Sequence, residues 1–261
     1  MVKDIFNRIY LFLIFVFLYA PIAVLIIFSF NNSKSRANWD GFTLKWYLQL
    51  FHDPDIKKAL YYTIVIAIIS SIVSTLIGTA AAIGIHNMTK WKKTLVMNIT
   101  YLPILNPDIV TGISLMILFI FVRLRLGFFS MLLSHIAFNI PYVILSVMPK
   151  LKQLNKHLYE AALDLGASPS YAFFKVILPE IMPGIITGAL LAFTLSLDDF
   201  VISFFTAGSG VTNLSITIYS MARRGVNPTI NALSTLMFLC VLILLFIVNK
   251  RTSKDIKEEK N

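Results

Sequence analysis

Two adjacent aspartates, Asp198 and Asp199, stand in the run TLSLDDFVISFF at residues 194–205, and a third, Asp108, follows Asn-Pro in another apolar run. An ionised side chain at the centre of a membrane helix costs about 2.5–3.5 kcal/mol on insertion scales, so a carboxylate there implies a task. The chemistry open to it is to carry protons, to activate water with a second carboxylate, or to hold a cation. No Lys or Arg lies within either run; Arg123, Arg125, Arg223 and Arg224 fall beyond the ends. Three carboxylates around one cavity repel one another unless a cation compensates, and with no resident cation in reach the residues favour a cationic cargo. On a continuous helix Ser196, Asp199 and Ser203 fall on one line and Thr194 and Asp198 on a second, which together make a broad wet face. The competing reading has Asp198 and Asp199 cap a helix end near the outer headgroups and pair with Arg223 or Arg224. For Asp108 it is the start of a helix capped by Asn106 or Asp108 itself.

The elements that would position these groups follow from composition. Of 261 residues 57% are hydrophobic and 14% charged, with a mean hydropathy of +0.77, outside the range of soluble domains. The chain reads as an all-α integral membrane protein forming a single transmembrane domain over residues 1–261. A bilayer core needs about 20 apolar residues per helix, and six runs qualify, at about 9–30, 61–85, 95–122, 128–148, 182–207 and 230–248. The third contains Pro103 and Pro107, which predicts a kink or a re-entrant start. Helix depth places Asp198 roughly 24 Å from an entry at Met182 and Asp108 roughly 20 Å from an entry at Leu95, so the three acids are expected in one layer. Gly184, Gly188 and Ala192 recur every four residues and predict a tight helix seam.

The first run is too long for a signal-peptide core and reads as a retained anchor. The greater share of the 23 Lys and Arg residues falls on the side of the N-terminus, so both termini, with the charged tail at 250–261, are expected in the cytoplasm. The net charge of +10 is spread between apolar runs rather than gathered in a patch, so membrane lipid is expected as a partner and nucleic acid is not. Cys240 is the single cysteine and offers no disulfide. His52, His86, His135 and His157 lie in separate segments without metal-ligand spacing, and neither a metal nor a catalytic site is assigned.

Between the fourth and fifth runs, residues 150–181 form the longest inner segment. Leu154, Leu158, Ala161, Ala162 and Leu165 recur at helical spacing. Gly166 then supplies a left-handed stop, Ser168 a cap and Pro169 a first helical residue. The pattern predicts two short helices, the second ending near Pro179, with Tyr171, Phe173 and Phe174 available to a partner's groove.

The stretch EAALDLGASPSYAFFKVILP resembles the EAA loop of the membrane subunits of bacterial ABC importers, with Glu160, Ala161, Ala162, Gly166, Leu178 and Pro179 in register and Val176 in place of isoleucine. The resemblance implies a type I importer permease (MetI-like) fold and a loop that couples to a cytosolic ABC ATPase dimer. Glu160 and Gly166 would be its contact and hinge positions. No GxxxxGK is present, so the chain is expected to be no enzyme and to need no cofactor of its own, ATP being used by the partner subunit. GFTLKWYLQLF and SLDDFVISFF are similar to the spermidine/putrescine transporter permeases of the C type. That similarity implies polyamine import in a bacterial inner membrane, a heterodimer with a second permease, and delivery by an extracytoplasmic polyamine-binding protein. Separated carboxylates suit a flexible polycation, and Trp46 would meet a passing ammonium by cation–π attraction or else anchor the interface. Another cargo on the same machine and a proton-coupled cation carrier are the rival functions. An intramembrane aspartyl protease is disfavoured by the lack of a Gly-x-Gly-Asp context.

Overall fold

The computed structural model describes residues 2–34, 38–155, 157–224 and 228–258, and the side chains among them at 7–34, 38–155, 157–224 and 228–243. Arg36, Lys156, Lys260 and the side chains of Lys3, Lys250, Arg251, Lys254 and Lys257, all used above to orient the chain, therefore lie outside the described residues, as do the side chains of the tail at 250–261. Among the described residues the regular elements are helical, and the one β-feature is a bridge between Asn31 and Phe42.

The chain divides into two units. The first comprises residues 1–58 and 217–244. Helix α1 (Val2–Ser29) exposes most of its apolar stretch Asn7–Ser29, as a lipid-facing helix must, and buries only its last residue, Ser29. The turn after it is built on Asn31, whose side chain accepts from the backbone of Ser33 and Asp40 and donates to the Asn38 carbonyl. Helix α2 (Lys45–His52) closes on this turn through Trp46, and Tyr47 bonds Ser29 at 2.6 Å.

The second unit comprises residues 59–216 and 245–261. Helix α3 (Pro54–His86) enters it at Ala59 and is followed by α4 (Lys90–Leu105), α5 (Asp108–Phe121) and α6 (Phe128–Gln153). Then come α7 (His157–Asp164), α8 (Pro169–Ala172), a π-turn at Phe173–Ile177, α9 (Leu178–Asp198) and α10 (Val201–Thr206). The start of α11 (Leu214–Arg224) belongs here, while the first part of α12 (Pro228–Glu258) belongs to the first unit. Helix α6 is the axis of the unit, with Val143, Ile144, Val147, Met148 and Leu151 buried against α3 and α9. The predicted seam on α9 lies against it. A Cβ at Gly184 would come within 2.9 Å of the Ser146 carbonyl oxygen, and one at Gly188 within 3.2 Å of the Val143 Cα. Only hydrogen fits where two helix backbones approach this closely.

The break expected in the third span is present, and the fifth span is corrected. The third, 95–122, is two helices meeting at 104°, because Pro107 removes a donor and holds the chain extended between α4 and α5. The comparison of Asp108 and Asp198 by depth, which assumed one straight helix, does not apply. The fifth, 182–207, is helical only to Asp198 and resumes at Val201. By length and apolar character four helices can cross a bilayer: Asn7–Ser29, Pro54–His86, Phe128–Gln153 and Pro169–Asp198, with the bent pair as a fifth. The expected sixth is represented by the shorter apolar stretch Pro228–Ile243.

Candidate functional site: an acidic helix break and a coupling hairpin

The helix break places the aspartates in unlike surroundings. Asp199 takes an extended backbone (φ −59°, ψ 124°) and turns its carboxylate onto the next helix. Its oxygens accept from the backbone of Ile202 at 3.2 Å and Ser203 at 2.7 Å. Capping of this kind satisfies donors that the first turn of α10 would otherwise leave unpaired. Against the same carboxylate lies buried His135 of α6, its Nε2 3.5 Å from Asp199 Oδ2 and 2.9 Å from Ser203 Oγ. Asn213 donates to Ser203 Oγ at 2.8 Å and to the Asp199 carbonyl at 3.0 Å, while its own oxygen accepts from Ile216 at the start of α11. Asp198 differs: its side chain is exposed, and its carbonyl accepts from Ser215 Oγ at 3.1 Å.

The Asp198 carboxylate lies at the carboxyl end of α9, where the helix dipole is already negative. A carboxylate added to unwound carbonyls at a half-helix end is an arrangement that holds cations in membrane transporters. Asp108 begins α5, and its side chain is exposed, with no side-chain cap at that terminus. One turn further on, Gly112 packs on α10 near the Val201 carbonyl and the Phe205 ring. Among the described residues of the second unit no Lys or Arg forms an ion pair with Asp108, Asp198 or Asp199.

Two other expectations are corrected. Ser196 is buried, not on a wet face, because its hydroxyl joins Ser70 of α3 at 2.9 Å and Asn139 of α6 at 2.7 Å. Thr194 bonds back to the Leu190 and Leu191 carbonyls of its own helix. Ser196→Ala removes two interhelical bonds and is expected to lower stability by about 1–2 kcal/mol while uptake persists, as thermal unfolding and transport assays would read. Trp46 is 2% exposed, its indole N–H donates to the Asn31 carbonyl at 2.7 Å, and Lys45 Nζ already lies 5.3 Å from the ring centroid. It belongs to the scaffold of its turn, with no open face for a passing ammonium. Trp46→Phe is expected to cost about 1 kcal/mol for the lost bond, seen as a lower unfolding temperature. His135 and Asn213 were not legible as partners of Asp199, although DDFV does contain the signal of an internal cap: Asp one residue before a new helical run.

The hairpin of residues 157–179 follows its local code more closely. Helix α7 ends at Gly166 (φ +86°), with the amides of Gly166 and Ala167 returning to the carbonyls of Leu163 and Ala162. This is a Schellman stop, which needs a left-handed residue. Ser168 accepts from the Tyr171 amide at 3.3 Å and Pro169 opens α8. The second helix does not end at Pro179: the π-turn Phe173–Ile177 carries it into α9, where Pro179 takes a first-turn position in which no amide is required. Glu160 and Ala161 are exposed, Ala162 is half-buried, and Glu160 Oε2 lies 3.4 Å from His157 Nδ1. Leu178 is half-buried against the α6–α9 core, and Pro179 is exposed. Ala162, Gly166, Ser168, Tyr171 and Val176 line an open cavity of about 530 Å³, and Leu165 beside it is 90% exposed. Leu165 thus stands exposed at the lip of this apolar hollow.

A helical bundle with a small-residue seam, a broken acidic helix and an exposed helical hairpin is the architecture that the comparisons with known proteins place in a family. The chain belongs to the family of binding-protein-dependent transport system inner membrane components, which its residues 74–257 match. It is 40% identical over 231 residues to the spermidine/putrescine transport system permease protein PotC of Escherichia coli (strain K12), with 88% of each chain covered. To the putrescine transport system permease protein PotI of that organism it is 40% identical over 241 residues, 89% of this chain and 85% of the relative. PotC of Haemophilus influenzae is 35% identical over 246 residues, 94% and 96% of the two chains. Among solved structures, a bacterial ABC transporter that imports the acidic polysaccharide alginate matches with a TM-score of 0.73 over 95% of this chain and 96% of that one, at 14% identity. The MetNI methionine ABC transporter matches at 0.62 over 82% and 99%, at 18% identity. These two likenesses are of fold, and the fold is that of an ABC importer permease.

Proposed function

We propose that this chain is the translocation subunit of an ATP-driven importer of spermidine or putrescine in a bacterial inner membrane. The observation that carries the cargo is the 40% identity to PotC over 88% of each chain, joined to unneutralised carboxylates at Asp108 and Asp198. Both side chains are exposed on the isolated chain, which is where a path shared with a second, homologous permease would run. An anionic cargo has no basic counterpart in these helices.

The hairpin face around Glu160, Ala161, Ala162, Gly166 and Leu165 docks in a cleft of a cytosolic ABC ATPase, and Leu178 and Pro179 transmit its movement into α9. ATP is bound by that subunit, this chain having no phosphate-cradling loop of its own. An extracytoplasmic polyamine-binding protein delivers the cargo, and both termini are cytoplasmic. The test is uptake of labelled spermidine and putrescine by cells with and without this chain, the remaining subunits being present. Loss of uptake that unlabelled polyamine competes for, with neutral amino acid uptake unchanged, is expected; unchanged polyamine uptake would overturn the assignment.

A further inference from the structure

His135 lies two turns into α6, with a side chain 2% exposed, and the sequence gives it no role. Its Nε2 meets two oxygens of the helix break, Ser203 Oγ at 2.9 Å and Asp199 Oδ2 at 3.5 Å. A proton on Nε2 serves both, and a neighbouring carboxylate favours the tautomer that carries it there. The Asp199 carboxylate thereby faces three donors: the amides of Ile202 and Ser203 and this imidazole. All of its acceptor capacity on that side is turned into the protein. The carbonyl at the same residue is taken by Asn213, and that of Asp198 by Ser215. What remains outside this clasp is the Asp198 carboxylate, exposed at the end of α9.

We infer that His135 is a positioning residue for transport: by clamping Asp199 as the internal cap of α10, it fixes the break so that the adjacent Asp198 presents its carboxylate to the cargo. The inference rests on the cationic-cargo reading above and divides the aspartate pair into a scaffold member, Asp199, and a contact member, Asp198. Transition-state and cargo interactions fall off steeply when a charged group is misplaced by about 1 Å. A helix break held by side chains of three elements is the means to prevent that.

The experiment is ATP-driven uptake of labelled spermidine by the assembled complex in proteoliposomes, with rates expressed per complex. His135→Leu, which has no donor, is expected to reduce the rate about tenfold or more. His135→Gln, whose amide N–H replaces the donor, is expected to stay within about threefold of the wild type. Because His135 acts through Asp198, the double variant His135→Leu/Asp198→Asn is expected to match Asp198→Asn alone rather than multiply the two losses. Normal transport by His135→Leu, equal losses in the Leu and Gln variants, or multiplicative losses in the double variant would each overturn the inference. If His135→Leu does not assemble, His135→Met takes its place, and failure of both to assemble would make His135 a folding residue only and also overturn it. Normal transport by Asp198→Asn would instead remove the cationic-cargo reading, a result separable from any behaviour of His135.

Discussion

Asp198→Asn is expected to reduce polyamine uptake more than about tenfold while the chain still assembles with its partners. The side chain is exposed and makes no bond that the fold needs, since Ser215 uses only its carbonyl. The substitution is isosteric and removes charge alone. A charge-assisted hydrogen bond contributes about 1.5–3 kcal/mol, and about 1.4 kcal/mol is a factor of ten, so loss of one ammonium contact suffices for the effect. Asp199→Asn is expected to lose transport as well, by a different route: an amide nitrogen in place of Oδ2 would face the Ser203 amide and His135 Nε2, donor against donor. Uptake kinetics together with co-purification of the complex separate the two, because only the Asp199 variant should also lower the unfolding temperature.

Gly166→Val is expected to weaken ATPase attachment and uptake by an order of magnitude or more. Gly166 holds φ +86° with open space around its Cβ position, so the penalty is one of backbone conformation and not of collision. A β-branched residue there costs about 1–3 kcal/mol. Helix α7 has only eight residues, and helices so short depend on their caps. Loss of the Schellman stop would free the carbonyls of Ala162 and Leu163, swing Leu165 away from the hollow and dissolve the docking face. Co-purification of the ATPase reads attachment. Ser168→Ala, which removes a single cap bond, should give a smaller loss of the same kind, about 1 kcal/mol.

How legible these features are in the sequence depends on how local their causes are. Gly166, Ser168 and Pro169 act within a few residues of themselves, so the hairpin could be read directly. The seam of Gly184, Gly188 and Ala192 is likewise a one-helix pattern, and the structure supplies its partner, the α6 backbone at Val143 and Ser146. The break at Asp199 is of another sort. Residues 182–207 are apolar without interruption by Gly or Pro near the aspartates, so helical periodicity runs on through them. What ends α9 is a set of bonds to His135 and Asn213 on other elements. Residues that are neutral in a periodicity count thus decide which carboxylate is free. The same blindness placed Ser196 on a wet face, when Ser70 and Asn139 claim it from α3 and α6.

In the proposed function, import is powered through the hairpin by a separate ATPase, and the cargo's positive charge is met at Asp198. The direct measurement is accumulation of labelled spermidine in proteoliposomes holding this chain with its partner permease, the ATPase and the polyamine-binding protein. Accumulation that requires ATP, persists when the proton gradient is collapsed and is lost in Asp198→Asn is the predicted result. Accumulation without the ATPase that disappears with the proton gradient would contradict it and favour a proton-coupled carrier.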